Sequence, residues 1–215
     1  MPRLITGLDA ARVRANLEKA RDAIAAAGRD PAEVAILAAV KYVPVDEIGT
    51  LREAGLTLLG ENRAQDLEEK ATRFPDFRWH FIGALQSRKV KQIVPHVELI
   101  HSVASESAMG QLERHGTPDT RILIEVNVAG EEGKAGIAPG ELAHYLEIAP
   151  VTVAGLMTMP PFTEDPEDSR PHFARLAELA AEHGLTELSM GSSQDYAVAA
   201  AEGATIVRIG TSLYA

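Results

Sequence analysis

The chain has 215 residues, with 21 Lys+Arg against 31 Asp+Glu and a formal net charge of −10. Apolar residues make up 46% and charged residues 24%, the proportions of a globular domain with a real core, so disorder is excluded as the main state. The acidic excess repels phosphate backbones and no dense Lys/Arg stripe offsets it, which argues against nucleic acid as a partner. Zero Cys removes disulfides, thiolate nucleophiles and Cys-ligated metals at once.

Charges are scattered through the first 24 residues, and no later stretch approaches the length of an apolar membrane span, so a soluble, cytoplasmic protein without membrane contact is expected. Asp9 reads as an N-cap, and Val13, Leu17, Ala20 and Ile24 recur at helical spacing up to Gly28. Short apolar, β-branched runs follow: Val34–Val40, Thr57–Leu59, Arg78–Ile82, Val97–His101, Arg121–Val128, Thr152–Met157, Glu187–Ser189 and Thr205–Ile209. The stretches between them are too long for hairpins, and several carry helical periodicity, such as Phe173, Leu176, Leu179 and Ala180. Strand and helix in alternation imply parallel pairing, and eight such units close into a (β/α)8 (TIM) barrel. The expectation is one domain over residues 1–215 with an extra N-terminal helix, and a doubly wound open sheet as the alternative.

In parallel α/β folds ligands bind where the strands end, so the residues after each run carry the functional reading. Lys41 follows the run VAILAAV. A strand-end lysine often just snorkels to water, whereas a desolvated one beside a cation such as Arg208 gains nucleophilicity toward an aldehyde. Glu61 and Asn62, His80 and Gly83, Ser102, Asn127 and Thr158 follow or close further runs. The segments LSMGSSQD (Leu188–Asp195) and VRIGTS (Val207–Ser212) follow the last two, a pairing that reads as an anion cradle or as two simple Gly/Ser turns. Arg208, inward on a barrel strand, needs a carboxylate or a ligand atom. A pyridine nitrogen that it met would stay unprotonated, because a guanidinium only donates. Glu61–Lys70 reads as a solvated helix face with i to i+4 pairs. The histidines lack metal-ligand spacing, and no nucleophile elbow or P-loop is present.

The blocks LAAVKYVP, GENRAQDLEEK, WHFIGALQSRKVK, IHSV, VNVAGEEGKAG, GLMTMPP and LSMGSSQDYAVAAAEGATIVRIGTSLY resemble, in order and spacing, the pyridoxal 5′-phosphate (PLP) homeostasis proteins. The resemblance runs from about Leu37 to the last residue. It implies the alanine racemase N-terminal-domain barrel, a PLP Schiff base on Lys41, and Arg208 facing the pyridine nitrogen. It also implies Ser193, Gly210 and Thr211 around the phosphate, with Asn62 and Met190 lining the pocket. Val40, Ala84 and Ser192 depart from the residues common in that family. Lys134 matches a family position, although its neighbours Glu131 and Glu132 suit a solvated loop lysine. The implied role is a monomeric, non-enzymatic carrier that holds PLP and passes it to apo-enzymes or salvage enzymes. A minimal PLP-dependent racemase is the alternative, with Tyr42 and Tyr214 as local acids, although no second, β-rich domain follows the eighth run. A barrel for another phosphorylated metabolite is the third reading.

Overall fold

The computed structural model describes residues 4–215. Helix α1 (Ala10–Ala26) starts where the Asp9 carboxylate accepts the amides of Ala11 and Arg12, and its buried stripe is Val13, Leu17, Ala20 and Ile24. Eight strands follow: β1 (Ala35–Ala39), β2 (Leu58–Glu61), β3 (Arg78–Phe81), β4 (Leu99–Val103), β5 (Arg121–Glu125), β6 (Thr152–Met157), β7 (Glu187–Ser192) and β8 (Ile206–Ile209). They pair in parallel in sequence order, and β1 closes on β8 with Leu37 opposite Arg208. The helices α2 (Ile48–Glu53), α3 (Ala64–Arg73), α4 (Val90–Ile93), α5 (Glu106–His115), α6 (Leu142–Glu147), α7 (Arg170–Glu182), α8 (Tyr196–Ala201) and α9 (Thr211–Tyr214) complete the elements. The closed ring is the expected (β/α)8 barrel, and the open sheet is excluded.

Strand limits differ from the apolar runs for one reason. β2 and β7 extend through Gly60, Glu61, Gly191 and Ser192, which pair as strand although hydropathy does not mark them. β5 stops at Glu125, and Val126 makes an isolated bridge to Ile137 in the following loop.

Alternation along the strands divides the interior into two layers. Ala38, Leu59, Ile100, Ile124, Leu156 and Val207 face the helices in the main core. Leu37, Leu58, Leu99, Leu123, Met157 and Ile206 form a separate apolar plug inside the ring. Other inward positions, His80, His101, Ser189, Glu125 and Arg208, are polar and buried. The barrel is therefore apolar within the plug and polar toward its mouth. Among the described residues, no helix is long and apolar enough to cross a membrane. The same residues hold no group of three or more metal-ligating side chains.

Candidate functional site at the barrel mouth

A cavity of about 740 Å³ opens at the carboxyl ends of the strands, a volume in the usual range for small-molecule sites. Its wall includes Lys41, Asn62, Ser193, Arg208, Gly210 and Thr211, so six of the seven sequence-derived positions meet in one space.

Lys41 follows β1 and its side chain is exposed, with Nζ 4.6 Å from the centre of the Tyr42 ring. Of the two sequence readings, the exposure fits the strand-end lysine that reaches water and not the desolvated amine. Its backbone is held tightly instead. The Val40 amide donates to the Gly60 carbonyl at 2.9 Å, and the Ile5 amide donates to the Tyr42 carbonyl at 2.8 Å.

Arg208 has the opposite character. It is 7% exposed, and burial lowers its pKa to about 10 although Glu125 and Asp195 nearby favour the charged form. Nη1 donates to Ser189 Oγ at 2.5 Å and Nη2 to the Thr158 carbonyl at 2.9 Å, so hydroxyl and carbonyl oxygens hold it where an ion pair was considered. The same Ser189 hydroxyl, which accepts from Arg208, also makes a hydrogen bond with His101 Nδ1, 2.8 Å away. His101 Nε2 in turn shares a hydrogen bond with His80 Nδ1 at 2.9 Å. Both imidazoles are neutral at pH 7: burial is the main cause, and Arg78 and Arg121 for His80, or His80 and Arg208 for His101, add to it. A chain of hydrogen bonds from Ser189 through His101 to His80 thus braces Arg208 from inside the barrel.

The Gly/Ser segments form the opposite wall. Gly191 has φ +88°, open to glycine, and a Cβ there would lie 2.6 Å from Ala199 Cβ. Asp195 Oδ1 accepts the Ser192 amide at 2.7 Å and the Ser192 hydroxyl at 3.0 Å, which folds the segment into a compact turn. Ser193 Oγ accepts the Gly210 amide at 3.0 Å and joins the β7 loop to the β8 loop. Asn62 supplies a further fitting feature: its Oδ1 is buried without a hydrogen-bond partner among the described residues, which leaves that oxygen capacity toward the cavity. Gly83 lies against it, where a Cβ would fall 2.1 Å from the Asn62 carbonyl oxygen.

Four sequence readings are corrected. Met190 is fully buried in the barrel–helix layer, because it alternates with inward-facing Ser189, and it does not line the cavity. Asn127 turns away from the mouth: its side chain bonds the backbone of Glu131. Tyr214 is buried in the outer layer with its hydroxyl donating to the Ala39 carbonyl at 3.2 Å, and burial raises its pKa, so it is no acid for the cavity. Glu61 and Lys70 are buried, at 0% and 4% exposure, and are not part of a solvated face. Lys134 stands on the rim, 3.5 Å from Glu131 Oε2. Sequence reasoning missed Glu125 and Asp195. Glu125 is the last inward position of β5, and burial raises its pKa against the opposing pull of Arg208. The spacing Ser192-x-x-Asp195 was a legible turn signal.

A closed parallel barrel with lysine, arginine and paired glycine-serine loops around one mouth defines a class, and the family model described as "Alanine racemase, N-terminal domain" matches residues 8–215. A pyridoxal phosphate homeostasis protein of Aquifex aeolicus is 44% identical over 92% of this chain and 93% of its own length. One from Pseudomonas aeruginosa is 39% identical over 90% of this chain and 89% of its own. PipY of Synechococcus elongatus, solved without and with PLP bound, is 32% identical and superimposes with TM-scores of 0.83 and 0.79, covering 94% of this chain and all of PipY. The chain belongs to the pyridoxal phosphate homeostasis protein family, built on the alanine racemase N-terminal-domain fold.

Proposed function

We propose that this protein binds PLP covalently at Lys41 and serves PLP homeostasis as a carrier rather than as an enzyme. The observation that carries this reading is the convergence of Lys41, Asn62, Arg208 and the joined Ser193/Gly210 loops on one cavity. PLP when bound supplies an aldehyde, which condenses with a primary amine with loss of one water. Lys41 offers that amine on a pinned backbone. The Ser192–Asp195 turn with Gly210 and Thr211 offers hydroxyls and amides suited to a phosphate ester. Asn62 offers a buried amide oxygen, without a partner among the described residues, for a ring substituent.

Arg208 supports the carrier role. It donates to whatever acceptor it meets and cannot hand over its proton, so a ring nitrogen there stays a weak electron sink. Relatives named homeostasis proteins support the same reading. The test is an absorbance spectrum of the full chain as purified and after adding PLP. A visible band that disappears in Lys41→Ala is expected; its absence at saturating PLP would refute the reading.

A second reading, a minimal racemase, draws on Glu125, a buried carboxyl in the cavity wall whose pKa is raised and which could carry a proton. Incubating the loaded protein with L-amino acids in deuterated water separates the two. The carrier shows no sustained α-proton exchange, and steady turnover would replace it with the racemase.

A further inference from the structure

Behind Lys41, in the layer between barrel and helices, lies a buried ion pair that does not touch the cavity. Glu61 ends β2 with its side chain away from the barrel interior, and Lys70 of α3 reaches it, Nζ to Oε2 at 2.5 Å. Lys70 Nζ also donates to the Val40 carbonyl at 2.8 Å. Glu61 Oε1 accepts the Asn62 amide at 2.6 Å and the Arg63 amide at 3.2 Å.

These bonds grip two particular peptide planes. The Val40 carbonyl belongs to the planar unit that leads into the Lys41 Cα, and the Asn62 amide to the unit that leads into the Asn62 Cα. Fixing each plane fixes where the next Cα lies and where its side chain departs. One ion pair therefore sets the relative placement of two residues 21 positions apart in sequence. Stability is a poor reason for it, because removing two charges from water is costly and packed apolar side chains of similar volume often serve a core as well. Placement is what an apolar pair would not supply.

We propose that Glu61 and Lys70 are positioning residues that aim Lys41 at the carbonyl carbon of its ligand. The proposal rests on the reading of Lys41 as the amine that engages PLP. The experiment compares the full-length wild type with Lys70→Met and Glu61→Gln, the second nearly isosteric and still an acceptor for both amides. Two ligands are used: PLP, and pyridoxamine 5′-phosphate, which keeps the ring and ester but has no aldehyde for a lysine to attack.

In both variants the PLP band should form more slowly by about tenfold or more, while affinity for pyridoxamine 5′-phosphate stays within about threefold of wild type. A normal rate overturns the proposal, as does equal loss toward both ligands, since that is the signature of general fold support. Should Lys70→Met fail to fold, Glu61→Gln decides by the same criteria. A wild-type chain that forms no band refutes the reading of Lys41 itself, and a normal wild-type band beside unchanged variants overturns the positioning role alone.

Discussion

Two cations of the cavity, Lys41 and Arg208, are placed by opposite means. Lys41 has an exposed side chain whose Nζ lies over the Tyr42 ring, on a backbone held from several sides, whereas Arg208 has a buried side chain held by Ser189 and Thr158. A group that must form and release a bond needs freedom at its tip and precision at its root. A group that only sets the electrostatics of a ligand needs its tip fixed. On the proposed function, in which Lys41 is the reactive group, the difference teaches that burial and hydrogen bonding need not mark the most reactive residue in a site. Here they mark the residue that stays still.

The comparison can be broken first at the lysine. Lys41→Ala should remove the PLP absorbance band entirely while leaving the thermal unfolding midpoint close to wild type, because the side chain lost is exposed. Gly83→Ala tests the backbone half: a Cβ 2.1 Å from the Asn62 carbonyl oxygen must push that peptide aside, with an expected loss of about 3 kcal/mol in chemical denaturation and slower PLP uptake. Ser189→Ala tests the side-chain half. It leaves an Arg208 N–H and His101 Nδ1 without their shared partner, at a cost of about 2 kcal/mol. Its PLP band should form at a normal rate but at an altered wavelength.

The histidine chain behind Arg208 sharpens the contrast through pH. The folded-state pKa of His80 is about 3 against an ordinary 6.5, so the unfolded chain binds more protons between those values. The stability this contributes is complete above pH 6.5 and is lost as pH falls toward 3, at up to about 1.4 kcal/mol per pH unit for one imidazole. The unfolding midpoint should drop between pH 7 and pH 5, and the slope should flatten in His80→Gln. The smallest effect is expected for Asp195→Ala, which frees the Ser192 amide and hydroxyl. PLP affinity should weaken by about fivefold, equivalent to about 1 kcal/mol, in a titration at fixed pH.

Much of the barrel was legible because apolar periodicity is a local signal. The α1 stripe of Val13, Leu17, Ala20 and Ile24, and the β6 run Thr152–Met157, stand as the spacing implies. The ends of β2 and β7 were not legible, since Gly60, Glu61, Gly191 and Ser192 become strand only through their neighbours across the sheet. Met190 was misplaced although alternation with Ser189 was available to correct it. Lys70 carried a signal too: it falls three residues after Leu67 and beside Ala71, on the buried stripe of α3, where a solvated lysine has no place.

The amino-acid order by itself determined the number and kind of elements and which strand ends bear chemistry, because hydrophobic spacing and turn residues act within a few positions of the chain. Only closure of the ring decided which polar groups meet. It set Arg208 on Ser189 and Ser189 on His101, and it turned Glu61 and Lys70 into a buried clamp on the peptides before Lys41 and Asn62. The Arg208–Ser189, Ser189–His101 and Lys70–Val40 contacts join residues 19 to 88 positions apart, whose polar groups satisfy one another only after water is excluded from between them.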